Sequence, residues 1–244
     1  MTESRRIFYN IIATYSRSLY ALVIGLFTAR WVLAALGTSD YGLYGVIGGL
    51  VVFVTFINGL LQVAVVRYYG VSVGKEQSAL DKREAIDECR KWFNSALLIY
   101  IVIPILLLVI GYPIGQWAIR SFLVIPAERV AVCIVVWRYT CLSCFIVMCS
   151  VPFQAMYTAK QEIAELTIYN FATTTINACF FYYMVLHPRD WLSDYALWMC
   201  LSHVLPQVLI SVRALQKYEE CKFVLRYLFD LSRIKSIFGF ASAR

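Results

Sequence analysis

Four arginines lie inside or beside long apolar stretches of this 244-residue sequence: Arg17, Arg30, Arg67 and Arg138. Arg17 stands near the middle of the stretch IFYNIIATYSRSLYALVIGLFTA. An arginine at the centre of a membrane helix is unfavourable by roughly 2.5 to 3.5 kcal/mol. Its guanidinium stays charged at any working pH and binds phosphate oxygens through two parallel hydrogen bonds. The pattern therefore predicts an anion site centred on Arg17 and Arg138, with Arg30 and Arg67 at the span ends.

The acidic residues supply no evident counter-ion for these arginines. The sequence has 15 Asp and Glu residues, and none falls in the middle of a predicted membrane span. Uncompensated cations on membrane helices indicate a water-filled cavity, an anionic ligand or both. The alternatives are that the side chains reach to the membrane surface or pair with backbone carbonyl groups.

Amide side chains form polar faces on three of the predicted helices. They are Asn10 on the first helix, Asn58 and Gln62 on the second, and Asn170 and Asn177 on the fifth. At 100° per residue, Asn10 lies on the same face as Arg17. These amides are candidates for binding a polar ligand, and hydrogen bonding from helix to helix is the alternative, which is common inside membranes.

No arrangement of residues indicates an enzyme or a cofactor. The sequence lacks a G-x-S-x-G motif and a phosphate-binding loop, and its two histidines fit no zinc-binding pattern. Cys141 and Cys144 form a C-x-x-C pair, but inside a predicted span and without a β-α-β context, so a redox or metal role is not expected. We expect no metal and no cofactor.

Composition places the chain among multi-pass membrane proteins. Mean hydropathy is +0.68, and only 15% of the residues are charged against the usual share of about 25%. The 28 residues between Lys91 and Arg120 carry no charge, and about 20 residues suffice to cross a bilayer. Apolar stretches of spanning length predict an all-α six-helix transmembrane bundle, with spans at about 8–30, 43–66, 93–119, 130–152, 163–186 and 194–213.

The distribution of Lys and Arg predicts the orientation. With the N-terminus in the cytoplasm, sixteen of the 22 basic residues fall in cytoplasmic segments and four in outer ones, as the positive-inside rule requires. Both termini are therefore predicted to be cytoplasmic. Residues 1–213 form the membrane lobe, and 214–244 form a cytoplasmic amphipathic linker followed by the start of another span. We expect the chain to be half of a longer transporter or a truncated product.

Several motifs resemble those of the bacterial oligosaccharide flippases, particularly members from Bacteroidetes-like bacteria. These are the Asn10-to-Arg17 spacing, the stretch LFTARWVLAALGTSDYGLYGVIGG (26–49), the exit VVRYYGVSVGKE (65–76) and the passage VPFQAMYTAKQEIAELTIYNF (151–171). The flippases belong to the multidrug, oligosaccharidyl-lipid and polysaccharide exporter superfamily. The resemblance implies one lobe of a two-lobe transporter that works by alternating access.

The resemblance also implies a substrate and a location. The chain is expected to be the N-terminal half of an inner-membrane flippase that moves undecaprenyl-pyrophosphate-linked oligosaccharide for capsule or lipopolysaccharide synthesis. The arginines would draw the pyrophosphate into a cavity, and the amides would bond sugar hydroxyls. Expected partners are this lipid-linked substrate, membrane lipids, and a second lobe or a polysaccharide polymerase, but no nucleic acid. The alternatives are a cation-coupled drug antiporter of the same superfamily, a membrane-embedded transferase, and a non-transporting assembly partner.

Overall fold

The computed structural model describes residues 3–78 and 82–242, and this part of the chain is helical without a strand. Five long helices and two short ones follow one another, with a π-helical turn at Ala118–Phe122 and a 3-10 turn at Glu219–Cys221. The helices are α1 (Glu3–Ser78), α2 (Lys82–Trp117), α3 (Ala127–Ala159), α4 (Ile163–Leu186), α5 (Leu192–Lys217), α6 (Leu225–Leu228) and α7 (Leu231–Ser242).

Helix α1 is divided at Gly37, which has φ of 75° and ψ of 170°. A side chain with a Cβ avoids this region of backbone space, whereas glycine adopts it without steric cost. The break falls inside the turn-forming sequence LGTSDYG at 36–42. It separates a first arm, residues 3–36, from a second arm, residues 38–78.

Side-chain contacts show that successive helical segments alternate in direction. The first arm runs parallel to α4, and the second arm runs antiparallel to α2. Helix α3 is antiparallel to α2 and parallel to α5. Helix α4 is antiparallel to α5. The contacts that fix these directions are Tyr20 to Phe171, Trp31 to Tyr182, Tyr68 to Trp92, Phe93 to Phe153, Trp137 to Tyr112, Ser150 to Gln207, Tyr157 to Tyr218 and Asn177 to Trp198. The chain therefore reverses at Gly37.

Two ends of the molecule follow from this arrangement. We call the end at which α1 breaks, α2 stops and α5 begins the Gly37 end, and the end at which α5 stops the Lys217 end. A buried cluster lies towards each of them. The cluster near the Lys217 end includes Tyr69, Phe93 and Tyr157, and the one near the Gly37 end includes Trp137 and Trp191.

Five helical segments are long and apolar enough to cross a membrane. Within the described residues they are Thr14–Gly49, which includes the break at Gly37, Val54–Lys75, Lys82–Phe122, Ala127–Ala159 and Leu192–Lys217. The remaining predicted span, 163–186, coincides with the 24-residue helix α4, which does not reach the same mean hydropathy because Thr173, Thr174, Asn170 and Asn177 interrupt its apolar residues. The five long apolar helices are those of a membrane protein, and a membrane crossing by α4 stays a prediction.

The helices continue beyond the predicted spans at the Lys217 end. The predicted spans 43–66 and 93–119 leave residues 67–92 between them, but α1 continues to Ser78 and α2 begins at Lys82. Lys, Glu, Gln and Arg are good helix formers, so the helical backbone persists after the apolar residues stop. The membrane boundary therefore lies within these helices and not at their ends.

Ion pairs tie the helices together at both ends. At the Gly37 end, Arg129 contacts the buried Asp40 at 3.1 Å and also pairs with Asp190. At the Lys217 end, Lys160 pairs with the buried Glu220. These ion pairs join segments that are far apart in sequence.

Asp230 caps helix α7. Its Oδ1 accepts hydrogen bonds from the hydroxyl of Ser232 at 2.7 Å and from the backbone N–H groups of Ser232 and Arg233 at 3.2 and 3.4 Å. The hydrogen bond from Ser232 and the neighbouring Arg233 hold the pKa of this carboxyl below its usual value. An aspartate in this position satisfies N–H groups that have no partner inside the helix.

Candidate functional site

Arg17 lies on the side of the first arm that faces α4. The half-buried positions of this arm recur every three or four residues: Arg17, Tyr20, Ile24, Thr28 and Trp31. Tyr20 contacts Phe171 of α4 with ring centroids 4.9 Å apart, and Trp31 contacts Tyr182 at 5.4 Å. Arg17, one turn before Tyr20, therefore lies at the edge of this interface. The lipid-facing side of the arm instead carries large apolar side chains such as Leu19, Leu22 and Leu26.

The guanidinium of Arg17 has no partner within the described part of the chain. No hydrogen bond, ion pair or cation–π contact joins it to residues 3–78 or 82–242. One turn further along, the hydroxyls of Tyr20 and Thr175 are hydrogen bonded at 2.7 Å, so the interface itself offers polar partners. A half-buried cation in this position is stabilised by water or by an anion that approaches it.

Arg138 lies against a different helix. It is exposed on α3, and its Nε donates to the Tyr112 hydroxyl of α2 at 3.3 Å. Gln116 donates to the same hydroxyl at 2.8 Å. The structure places Arg17 beside α4 and Arg138 beside α2, and no contact among the described residues connects the two.

Arg30 and Arg67 lie towards opposite ends of the α1 hairpin. Both are exposed. Arg30 has no partner among the described residues, whereas the guanidinium of Arg67 lies 4.3 Å from the ring centroid of Phe240 in α7. A cation over an aromatic face is stabilised by the ring quadrupole, so Arg67 has a structural contact of its own.

The predicted amides differ in what they contact. Asn58 is buried, its Oδ1 has no partner among the described residues, and its backbone carbonyl accepts a hydrogen bond from Tyr100 at 3.4 Å. Gln62, one turn on, is half-buried. A buried carbonyl oxygen without a donor costs about 1 to 3 kcal/mol, so Asn58 carries an unsatisfied acceptor inside the bundle, beside α2.

The two amides of α4 are engaged within the protein. Asn170 is exposed and donates to the carbonyl of Leu166 at 2.8 Å. Asn177 accepts a hydrogen bond from the indole N–H of Trp198 at 2.9 Å, which joins α4 to α5. The side chain of Asn10 lies outside the described side chains.

A polar network between α3 and α5 escaped the sequence reasoning. Gln207 Oε1 accepts hydrogen bonds from Gln154 at 2.7 Å and from Ser150 at 3.1 Å, and Gln154 also donates to Ser150 at 3.1 Å. The sequence signal was present, since Ser150 and Gln154 are one helical turn apart. Hydrogen bonds of this kind hold membrane helices together and contribute about 0.6 to 2 kcal/mol each.

An apolar groove of about 280 Å³ runs between α4 and α5. Its lining is mainly aliphatic and aromatic, and the Asn177–Trp198 hydrogen bond lies along it. The residues that bound it include Tyr169, Ile176, Leu201, Leu205 and Leu209. Such a surface accommodates hydrocarbon and offers little to a charged group. The groove and Arg17 therefore present opposite chemistries on either side of α4.

No group of three or more His, Cys, Asp or Glu side chains in residues 3–78 and 82–242 is arranged to hold a metal ion. Comparisons with family models, with characterised proteins and with solved structures find no match to this chain. The candidate features lie in three places: the half-buried Arg17 beside α4, the buried Asn58 with its free acceptor beside α2, and the apolar groove between α4 and α5.

Proposed function

We propose that the chain is the N-terminal, six-helix lobe of a flippase that moves undecaprenyl-pyrophosphate-linked oligosaccharide across a bacterial inner membrane, with both termini in the cytoplasm. The observation that carries this proposal is Arg17. It is half-buried in the middle of an apolar helix, and no partner for it lies among the described residues. Three of the motifs that resemble those of the oligosaccharide flippases lie on α1, which includes the break at Gly37, and the fourth, 151–171, runs from α3 into α4.

In this proposal Arg17 binds the pyrophosphate. A guanidinium forms two parallel hydrogen bonds with phosphate oxygens, and two adjacent phosphates offset the cost of keeping the charge inside the membrane. Three exposed arginines would guide the anion as this lobe and the second lobe rock. Arg30 and Arg138 lie towards the Gly37 end, and Arg67 lies towards the Lys217 end. The sugar would then meet Asn58 and Gln62.

The apolar groove suits the other half of the substrate. A lipid-linked sugar has an isoprenoid tail that stays in hydrocarbon while its head group crosses, and the α4–α5 groove is lined by side chains that pack against hydrocarbon. Asn170 and Asn177 already bond within the protein, so we assign them a smaller part in binding.

A complementation assay tests the proposal. In a strain that lacks the gene, the protein with Arg17→Ala should accumulate in the membrane but fail to restore surface polysaccharide, and Arg17→Lys should restore part of it because a point charge replaces the fork. Lys82→Ala, which removes an exposed cation from the start of α2, is the matched control and should support normal export.

Binding to the purified protein gives a second measurement. Undecaprenyl pyrophosphate should bind the wild-type protein at least about tenfold more tightly than the Arg17→Ala variant, since a charge-assisted hydrogen bond contributes about 1.5 to 3 kcal/mol. Normal export by Arg17→Ala, together with unchanged binding, would refute the role of Arg17.

A further inference from the structure

The part of the chain after α5 returns to the bundle. We call residues 222–242 the returning segment. Its start is fixed by the buried Asn94 of α2, which donates to the carbonyl of Lys222 at 3.1 Å and accepts from the N–H of Val224 at 2.8 Å. Ser95 donates to the carbonyl of Tyr227 at 3.4 Å. These bonds to backbone groups place the segment independently of its side chains.

Helix α7 packs on the bundle with one face. Ile237 is buried, and Tyr68 of α1 donates to the carbonyl of Ser236 at 3.1 Å. Arg233 lies over the ring of Trp92 at 4.9 Å and donates to a backbone carbonyl of α2 at 3.3 Å. The opposite face of α7 is left open.

The docking site marks the level of the membrane surface. Tyr68 and Trp92 are stacked, with centroids 4.2 Å apart and an interplanar angle of 11°. Trp92 is the first residue of the uncharged 28-residue stretch 92–119, which begins in α2, and Lys91 directly precedes it. Tyr and Trp concentrate at this boundary in membrane proteins. The returning segment, which covers this pair, therefore lies at the interface between hydrocarbon and water.

The open face of the segment carries large apolar side chains. Five of them are between 43% and 73% exposed. They are Phe223, Leu225, Phe229, Leu231 and Phe238. A soluble surface rarely gathers so many large apolar groups in sixteen residues, whereas helices that lie in the membrane interface do so regularly.

Three basic side chains stand among these apolar ones. Lys222, Arg226 and Lys235 are exposed and have no hydrogen bond or ion pair through their side chains to any described residue. In α7 the positions Leu231, Lys235 and Phe238 share one side, because they are spaced by four and three residues. Exposed cations without a partner among the described residues, interspersed with exposed apolar side chains, match a surface that offers anions and hydrocarbon together.

We propose that the returning segment binds anionic phospholipid in the leaflet at the Lys217 end. The phenylalanines and leucines enter the boundary between head groups and acyl chains, and Lys222, Arg226 and Lys235 contact the phosphates. Each basic side chain close to an anionic membrane surface strengthens binding by about fivefold. This inference does not depend on the transported substrate, and it stands if the flippase proposal fails.

Hydrogen exchange of the whole protein in lipid nanodiscs tests the inference. Discs of phosphatidylcholine alone are compared with discs of phosphatidylcholine and phosphatidylglycerol at a ratio of about three to one. We expect the amides of 231–242 to exchange about tenfold more slowly in the anionic discs, and the difference to shrink at about 0.5 M salt, where the Debye length falls to about 4 Å.

The double variant Arg226→Gln/Lys235→Gln should lose most of the lipid-dependent protection while exchanging like the wild type in neutral discs. The control variant Lys82→Gln/Arg120→Gln removes one exposed Lys and one exposed Arg outside the returning segment, and it should retain the lipid-dependent protection. Equal exchange of the wild-type segment in both kinds of disc would overturn the inference. So would protection that appears only when a cytosolic protein is added, since the open face would then belong to a protein partner.

Discussion

Substitution of Arg17 by leucine distinguishes a structural role of this arginine, in stabilising the fold, from a role in binding a ligand. Removing one partner of a buried ion pair costs about 3 to 5 kcal/mol, because the other charge is left without compensation. For a chain of this size, 1 kcal/mol shifts the melting temperature by about 2 to 4 °C. A structural Arg17 would therefore lower the melting temperature by about 6 to 20 °C when replaced.

The structure leads to a different expectation. Arg17 leaves no partner behind among the described residues, and leucine is preferred over arginine at a helix centre by about 3 kcal/mol on insertion scales. Much of this preference cancels, because the unfolded helix in the membrane carries the same arginine. We expect Arg17→Leu to change the melting temperature by no more than about 3 °C, or to raise it, while transport is lost.

Arg129→Leu provides the matched control, since the same substitution is made at an arginine with partners. Arg129 pairs with Asp40 and Asp190, and the side chain of Asp40 is only 9% exposed. Because Arg129 itself is 31% exposed, we expect a loss of about 2 kcal/mol, which lowers the melting temperature by about 4 to 8 °C. Thermal unfolding in detergent, followed by tryptophan fluorescence, compares the two. If Arg17→Leu lowers the melting temperature as much as Arg129→Leu does, the proposal that Arg17 has no structural partner is refuted.

Three further predictions concern packing, polar contacts and pH. Gly115→Ala should destabilise the protein by about 1 to 3 kcal/mol, because the new Cβ would lie 2.1 Å from the ring of Trp137; thermal unfolding measures the loss, and an unchanged melting temperature would contradict it. Gln207→Leu should lower the free energy of unfolding by about 1 to 2 kcal/mol. The double variant Gln154→Leu/Gln207→Leu should lose less than the sum of the two single variants, because it also removes the Gln154 donor that Gln207→Leu leaves without this acceptor. Additive losses in the same assay would argue against the network. Asp230→Ala should speed hydrogen exchange in α7 at pH 7 by about fivefold, as expected for a lost cap of about 1 kcal/mol. Since the folded pKa of Asp230 is lowered, its stabilisation is present above about pH 4 and disappears as the pH falls through the folded value, so wild type and variant should converge at low pH.

Residue types along the chain were enough to predict long apolar helices, five of which are long and apolar enough to cross a membrane. A run such as 92–119 must be helical and buried in hydrocarbon because unpaired backbone groups are too costly there. The break at Gly37 also has a local cause, since Gly37 adopts a conformation that other residues avoid. Both the helical apolar stretch and the break at Gly37 depend on residues that are close together in the sequence. Helix α4 shows the limit of this reasoning, because its Thr and Asn residues lower the hydropathy of a helix that was predicted to cross the membrane.

The surroundings of individual polar side chains were decided by the tertiary structure alone. The same amide chemistry leaves Asn58 with a free acceptor and joins Asn177 to Trp198, and the same guanidinium has a tyrosine partner at Arg138 and none within the described chain at Arg17. Hydropathy and spacing specify which face of a helix is polar, but they do not specify which helix that face meets or at what height. That depends on the rotation and register of packed helices, which are set by contacts between residues far apart in sequence.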